Sequence, residues 1–288
     1  MIAVAIIVSA RPDMLAVCQA ALRRFAPWLR VCIVATSPEV KRSAELYNDE
    51  CLCLPTAGQG ARDHAAGIEY ARSAGVGQEE ELVILLDDDT IVLSDRWLPT
   101  IEDAFRTTPS LGILGGVRSR GLIGQAYIDG VLLVHAHMMA IRGEWFRRVR
   151  TFHAQPDPAA SYTRLDTGAA ACLDAVRFMS GYKLRHVPFH EPGRGPLYGG
   201  VSLGCPDRPV GIDATEYYDP GDPYHPLWAH LGRGTSFAPR GWWREHARTV
   251  AAHVFGSPRA AKIIRRQDHR ARFIARSWEL ITDNGVKT

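Results

Sequence analysis

Three consecutive aspartates, Asp87, Asp88 and Asp89, follow the apolar run Leu82–Leu86. The run is short, aliphatic and unbroken, which predicts a strand that is buried on both faces. Three carboxylates at the end of one strand repel one another unless a positive charge lies among them. A hard divalent cation with oxygen ligands supplies such a charge, so the triplet predicts a metal site. The alternative is a solvated acidic turn that begins a helix.

The segments around the triplet alternate between strands and helices. Strands are predicted at 3–8, 30–35, 50–54 and 82–86, and helices at 12–25, 39–48 and 58–74. This alternation predicts an α/β fold with a mostly parallel sheet and helices on both of its faces. Ligands of such sheets bind at the carboxyl ends of the strands, which is where the aspartates lie.

The second half of the chain is less regular. Helices are predicted at 97–107, 143–149 and 167–180, and strands at 111–117, 130–140 and 183–187. Residues 188–241 are rich in Pro, Gly, Tyr and His and show little periodicity, which predicts a lid or a substrate-binding loop. Residues 242–281 are basic and carry an apolar stripe, which predicts a helical C-terminal appendage packed on the main domain.

Composition narrows the class of protein. The chain has 288 residues, of which 46% are hydrophobic and 23% are charged, and its net charge is +3. These values are typical of a soluble globular protein and give no strong signal for a nucleic-acid partner. No apolar stretch reaches the length of a membrane span, and the N-terminus lacks the basic lead of a signal peptide. Six scattered cysteines without a paired C-x₂-C motif predict reduced thiols in a cytoplasmic protein.

Four segments of the chain occur in an order that carries a family resemblance. They are Ile7-Val8-Ser9-Ala10-Arg11, the Gly-rich helix start at 58–68, Leu85-Leu86-Asp87-Asp88-Asp89, and Asp166-Thr167-Gly168 followed by the Gly-Tyr-Lys to Val-Pro stretch at 181–188. This series resembles the GT-A glycosyltransferases, most closely the broad family 2 type, over roughly residues 3 to 190. The resemblance implies a Rossmann-like GT-A catalytic domain, which we assign to residues 1–240. The basic C-terminal segment leaves the helical appendage over 241–288. Within the domain, residues 1–117 form the nucleotide-sugar and metal half, and 118–240 form the acceptor half with the lid loop.

The resemblance also implies a set of metal ligands. Asp87 and Asp89 match the two carboxylates of the Asp-x-Asp motif, with Asp89 on the metal and Asp87 facing the ribose or the metal's water shell. Asp88 is the variable middle position of this nucleotide-binding motif. Some GT-A enzymes have a His on the metal near the C-terminus, and His230, before a Gly-rich stretch, is the first choice here. The alternatives for this third ligand are His225, His190 and Glu191.

Donor binding and catalysis follow from the same resemblance. Ser9, Ala10 and Arg11 match the loop that lines the nucleoside, and Arg62 is expected near the diphosphate or the base. Arg233 could reach the diphosphate as a bidentate partner. Asp166 matches the catalytic base, although a helix N-cap is a compatible role for an acid at that position. Two departures affect the donor. The segment at 34–39 lacks the family's Asp-Asp-Gly-Ser, and Asp63 follows Arg62 where the family has Asn. The nucleotide therefore stays open, with UDP favoured over GDP.

The expected reaction is transfer of a sugar from a nucleotide diphosphate-sugar to a hydroxyl acceptor, a small molecule, a glycan or a lipid-linked group. Mn²⁺ or Mg²⁺ and an arginine would stabilise the leaving diphosphate, and Asp166 would remove the acceptor proton with inversion. One alternative is a sugar-phosphate nucleotidyltransferase, which the lack of glycine after the first strand disfavours. The other is an inactive GT-A-like binding module. The basic segment 242–281 could also contact a membrane surface, which would make the protein peripheral to a membrane, or a phosphate-rich acceptor.

Overall fold

The computed structural model describes residues 1–54, 61–117, 127–128, 131–132, 134–153, 167–178, 183–187, 190–191, 195–196, 215–219, 222–230, 271, 274–275, 277–279 and 281–282. The helices are α1 (Pro12–Phe25), α2 (Pro38–Glu45), α3 (Ala61–Ser73), α4 (Trp97–Thr107), α5 (Gly143–Arg148) and α6 (Thr167–Phe178). The strands are β1 (Ala3–Ser9), β2 (Arg30–Ala35), β3 (Glu50–Cys53), β4 (Leu82–Asp87), β5 (Thr90–Val92), β6 (Leu111–Val117), β7 (Tyr127–Ile128), β8 (Val131–Leu132), β9 (Val134–Arg142), β10 (Lys183–Val187), β11 (His190–Glu191), β12 (Gly195–Pro196), β13 (Thr215–Asp219) and β14 (Asp222–His230).

A seven-stranded sheet in the order β10-β6-β9-β4-β1-β2-β3 forms the centre of the molecule. Strands β4, β1, β2 and β3 pair in parallel, β10 pairs in parallel with β6, and β9 runs antiparallel to both β4 and β6. All the strands of this sheet except β9 therefore point the same way. The predicted α/β class with a mostly parallel sheet is confirmed.

Helices cover both faces of this sheet, as the sequence predicts. On one face α1, α2 and α4 pack against alternate residues of β4, such as Leu82, Ile84 and Leu86. On the other face α3, α5 and α6 pack against the intervening Val83 and Leu85. All five side chains are fully buried. Burial on both faces explains the unbroken aliphatic run, since each such side chain contributes about 1.5–3 kcal/mol when it is removed from water.

A second, three-stranded sheet in the order β13-β14-β5 adjoins the aspartate triplet. β5 begins at Thr90, and its three residues pair antiparallel with Trp228, Ala229 and His230 of β14. The strands β13 and β14 lie within the segment that we predicted to be a loop. Their sequences do not show the alternation of apolar and polar residues that predicts a strand, because residues 226–230 are all buried. Pro226 and two register shifts also interrupt the pairing of β13 with β14.

The C-terminal segment is described only in part. Its described residues between 271 and 282 are helical, Ser277 is fully buried, and Ile281 packs in the same core as α1 and α4. These residues agree with a helical appendage that contacts the main domain, and the domain boundary at 240 stays a prediction. Among the described helices, none combines the length and the apolar character that a membrane crossing requires.

Candidate metal centre

The aspartate triplet occupies a tight turn between two strands. β4 ends at Asp87, Asp88 and Asp89 form the turn, and β5 begins at the next residue. The triplet therefore does not begin a helix, which rules out the solvated helix start considered above. Asp87 is paired in register with Val8 of β1, so the end of β1 lies beside the turn. This is the carboxyl edge of the parallel strands, where α/β folds place their ligands.

Asp87, Asp89 and His230 form a cluster at this edge. One ligand atom from each of the three side chains lies within 4.8 Å of the others. His230 Nε2 is 3.2 Å from Asp89 Oδ1 and 3.8 Å from Asp87 Oδ2. The pairing of β5 with β14 brings them together, because Thr90 is directly opposite His230 in the ladder. Of the four side chains considered for the third ligand, His230 is the one that the described structure brings to the aspartates.

The charges of this cluster compensate one another. Burial tends to raise the pKa of Asp89, but the neighbouring charges of His230 and Arg11 outweigh it and hold that pKa well below its usual range. Burial tends to lower the pKa of His230, but Asp89 and then Asp87 raise it above its usual value. When it is protonated, the imidazole supplies a positive charge beside the two carboxylates, and a bound metal ion would displace that proton.

The donor set fits a divalent metal ion. Adjacent ligands of an octahedral ion at about 2.1 Å are about 3 Å apart, close to the separation of His230 from Asp89. Asp89 Oδ1 is buried and, among the described residues, has no partner that meets hydrogen-bond geometry. Two carboxylates and one imidazole suit Mn²⁺ better than Mg²⁺, which prefers an all-oxygen shell.

Asp88 is not a member of this cluster and pairs with Arg11. Its carboxylate accepts hydrogen bonds from Ser9 Oγ at 2.7 Å and from Arg11 Nε at 3.3 Å, and a second guanidinium nitrogen of Arg11 forms a close ion pair with it. The same guanidinium lies 3.6 Å from Asp89. Arg11 is only 2% exposed, and although burial lowers its pKa, the charges of Asp88 and Asp89 raise it further. Arg11 therefore lies on the buried side of the turn, in contact with Asp88 and Asp89, whereas Ala10 is exposed at the end of β1.

His64 is a neighbour of the cluster to which the sequence analysis assigned no role. It lies in the first turn of α3, and its Nε2 is 3.1 Å from Asp87 Oδ1. The available signal was its position two residues after Arg62, at the start of a helix that follows a strand of the parallel sheet. Helix N-termini in such folds face the ligand edge.

A stack of rings fixes the orientation of His230. The ring of His137, on β9, stacks on the His230 ring with centroids 4.2 Å apart and an interplanar angle of 12°. Tyr217 lies against His137 at 4.9 Å, and Trp228 stacks on Tyr217 at 4.8 Å. Thr90 Oγ1 also donates a hydrogen bond to the carbonyl of His137 at 2.8 Å. The third ligand candidate is thus supported by both sheets.

Several predicted site residues are not part of the described cluster. Asp166 and Arg233 lie outside the described residues, as do the side chains of Arg62, His190 and Glu191. Arg62 is the second residue of α3, and α6 begins at Thr167, directly after Asp166. His225 is 76% exposed and its Nδ1 lies 3.0 Å from the carboxylate of Asp222, so it is not a ligand of this cluster. Ligand binding by Ser9, Ala10, Arg11 and Asp88 stays a prediction.

Comparison with known proteins gives structural neighbours only. No family model matches the chain, and no curated protein sequence matches it. Glucosyl-3-phosphoglycerate synthase from Mycobacterium tuberculosis, in complex with Mn²⁺, UDP-glucose and phosphoglyceric acid, is similar with a TM-score of 0.45 and 10% identity over 64% of this chain and 68% of that one. TarS 1–349 from S. aureus is similar with a TM-score of 0.41 and 12% identity over 60% of this chain and 56% of that one.

A nucleotide-binding protein of another kind has a comparable likeness. The CMP:2-keto-3-deoxy-manno-octonic acid synthetase complexed with CTP has a TM-score of 0.39 and 15% identity over 65% of this chain and 89% of that one. All three TM-scores are below 0.5, so this likeness by itself defines no activity for the chain.

Proposed function

We propose that this chain is a metal-dependent glycosyltransferase that moves a sugar from a nucleotide diphosphate-sugar to a hydroxyl acceptor. The observation that carries the proposal is the cluster of Asp87, Asp89 and His230 at the carboxyl edge of β4. A carboxylate pair of the Asp-x-Asp type and an imidazole from a distant strand form a site that can hold a cation against a diphosphate. We take Mn²⁺ as the first metal to test and UDP as the first nucleotide.

The metal, when bound, would neutralise the charge that grows on the leaving diphosphate. Asp89 and His230 would bind it directly. Asp87, whose side chain is less deeply buried than that of Asp89, would face the metal's water shell or the ribose. Exposed Ala10 at the end of β1 would lie against the nucleoside.

The acceptor side of the proposal rests on the position of α6. β9 pairs with β4 up to Met138 opposite Leu86 and then continues past the end of that pairing to Val134. Gly168 of α6 packs on this extension, since a Cβ there would be 2.5 Å from the carbonyl oxygen of Val134. The start of α6 is therefore on the same edge of the sheet as the aspartates. This supports a role for Asp166, the residue before α6, as the base that takes the acceptor proton.

Arg62 and Arg233 would contribute positive charge to the diphosphate. Arg62 is at the start of α3, and the residue two positions after it, His64, reaches Asp87. Arg233 follows His230 by three residues in the sequence. Arg233 is therefore close along the chain to a ligand candidate of the metal centre, and Arg62 is close to a residue that contacts one.

The test is binding followed by turnover. Thermal shift against UDP-, GDP-, ADP- and dTDP-sugars, with and without Mn²⁺, identifies a donor because a ligand of the folded state raises the melting temperature by mass action. The donor that binds only with metal is then assayed for hydrolysis and for transfer to acceptor libraries. We expect Asp89→Asn to abolish metal-dependent binding and Asp166→Asn to retain binding but lose transfer.

Three outcomes would redirect the proposal. Formation of a nucleotide-sugar from a nucleoside triphosphate and a sugar phosphate would identify a nucleotidyltransferase. Metal-dependent donor binding without hydrolysis or transfer to any acceptor would favour a binding module. Donor binding that is unchanged in Asp89→Asn would show that the metal centre is misassigned.

A further inference from the structure

His64 faces a carboxylate of the proposed metal centre without joining the centre. Its Nε2 lies 3.1 Å from Asp87 Oδ1, and the side chain is only 11% exposed. The other oxygen of the same carboxylate, Oδ2, is the one that faces His230, at 3.8 Å. Asp87 is therefore shared, with one oxygen directed to α3 and the other directed to the cluster.

We propose that His64 is a positioning residue that holds Asp87 Oδ1 and thereby turns Oδ2 toward the metal. This inference rests on the proposed function and adds a residue to it. A carboxylate on an unrestrained side chain rotates among several orientations. A donor fixed to one of its oxygens selects the orientation in which the other oxygen can bind a cation.

His64 is itself placed by the packing of α3 on β1. Gly67, one helical turn further along, lies so close to Val8 that an added Cβ would be 2.6 Å from its side chain. Val8 is the residue of β1 that pairs in register with Asp87. Ala65 and Ile68 bury the same part of α3 in the core. The helix is therefore packed directly on the residue pair Val8–Asp87 of the sheet, and this packing also fixes the position of His64.

The geometry favours support of Asp87 over direct ligation. Asp87, Asp89 and His230 have ligand atoms within 4.8 Å of one another, and His64 is not a member of that group. The contact of His64 Nε2 with Asp87 is short, but its angle does not meet hydrogen-bond criteria. Such contacts often align only when the ligand is bound.

The test measures Mn²⁺ binding by the full chain, from the electron paramagnetic resonance signal of free Mn²⁺, alone and with saturating UDP. His64→Leu fills similar space without a donor, and His64→Gln keeps an N–H that can reach Asp87. We expect His64→Leu to raise the Mn²⁺ Kd by about 10–100-fold, the usual cost of losing a residue that orients a metal ligand. His64→Gln should recover most of the affinity, and Asp87→Asn should lose at least as much as His64→Leu.

His153→Ala is the matched control. The backbone N–H of its neighbour Phe152 donates a hydrogen bond to the side chain of Glu69, which lies more than one turn after His64 on α3. His153 is therefore next to a different part of the helix. It should bind Mn²⁺ like the unaltered chain. Melting curves in EDTA identify any variant that fails to fold, and His64→Ala replaces His64→Leu in that case.

The failures are distinguishable. If Asp87→Asn loses Mn²⁺ but His64→Leu does not, His64 has no positioning role and the proposed function stands. If His64→Gln loses as much as His64→Leu, donation to Asp87 is not what His64 supplies, and the inference is overturned. If the unaltered chain binds no Mn²⁺ with or without UDP, the metal centre and this inference are both wrong.

Discussion

The ion pair between Arg11 and Asp88 gives the most direct test of how the acidic turn is held. Both side chains are buried, and Arg11 also faces Asp89 at 3.6 Å. We consider Arg11→Met, which keeps the length and apolar part of the side chain and removes its charge. The change leaves two carboxylates buried in the turn without their guanidinium partner.

The magnitude follows from the distances. At 3.6 Å and an effective dielectric constant of about 20, the attraction of Arg11 to Asp89 alone is about 5 kcal/mol before the cost of dehydrating the charges. Breaking a buried pair by removing one partner costs about 3–5 kcal/mol in practice. For a chain of this size each kcal/mol corresponds to about 2–4 °C, so Arg11→Met should melt about 6–20 °C lower.

The assay is thermal unfolding followed by circular dichroism at pH 7 in EDTA, so that no metal can replace the lost charge. Arg106→Met is the matched control, because Arg106 forms an exposed pair with Asp103 and should melt with the unaltered chain. The double variant Arg11→Met/Asp88→Asn should be less destabilised than the sum of its single variants, because the two residues are coupled.

The effect should also depend on pH. The pKa of Asp89 is lowered in the folded protein, so its stabilising contribution is present above the unfolded value of about 3.9 and is lost as the pH falls through the folded value. Arg11 is one of the causes of that lowering. The gap between Arg11→Met and the unaltered chain should therefore be full at pH 7, remain nearly full down to about pH 4, and narrow only below that pH. An Arg11→Met variant that melts within 2–3 °C of the unaltered chain at pH 7, about 1 kcal/mol, would refute this account.

Three further measurements test other parts of the structure. His230→Ala should weaken Mn²⁺ binding, measured by titration calorimetry, at least about 100-fold, which exceeds the 10–100-fold loss expected for a supporting residue. His225→Ala, five residues earlier on the same strand, should leave the Mn²⁺ affinity unchanged. Mn²⁺ affinity should rise with pH until His230 is neutral, because the metal and the proton compete for one imidazole, whose pKa is raised by Asp89. An Mn²⁺ affinity that does not change from pH 5.5 to 8 would count against His230 as a ligand. Gly168→Ala should lower the free energy of unfolding, measured in urea, by about 1–3 kcal/mol, because the added methyl group forces α6 away from Val134. It should lower sugar transfer to the acceptor more than it lowers Mn²⁺ binding. An unchanged free energy of unfolding would show that the packing adjusts to the methyl group.

Local sequence patterns predicted the central fold well. The helix Pro12–Phe25 and the strands Arg30–Ala35, Leu111–Val117 and Lys183–Val187 have the predicted bounds. These elements are readable because each is a continuous run with one period, and burial on one or both faces of the sheet enforces that period. The reversal of β9 cannot be predicted in this way, because the residue types within a buried strand do not record the direction in which the strand runs relative to its neighbours.

The sequence predicted the part of the candidate site that lies in one continuous segment, the aspartate triplet. The strand end alone predicted a metal site at the three carboxylates, and the resemblance to GT-A enzymes pointed to Asp87, Asp89 and His230 among the candidates. What the sequence could not show is how His230 reaches them, since β5 and β14 are separated by more than 120 residues and β14 carries no alternating pattern. Pairing between distant segments depends on the packing of the whole chain, which no local window contains.

The sequence by itself determined that three acids would stand at the end of a buried strand, because an aliphatic run followed by charge can only place that charge at the sheet edge. Only the tertiary structure decided how the three divide. Ser9 at the end of the neighbouring strand and Arg11 just after it bind Asp88. Asp87 and Asp89 face His230, and His64 of α3 contacts Asp87. The physical reason is that adjacent residues in a tight turn point in different directions, so the partners that surround the turn set the role of each.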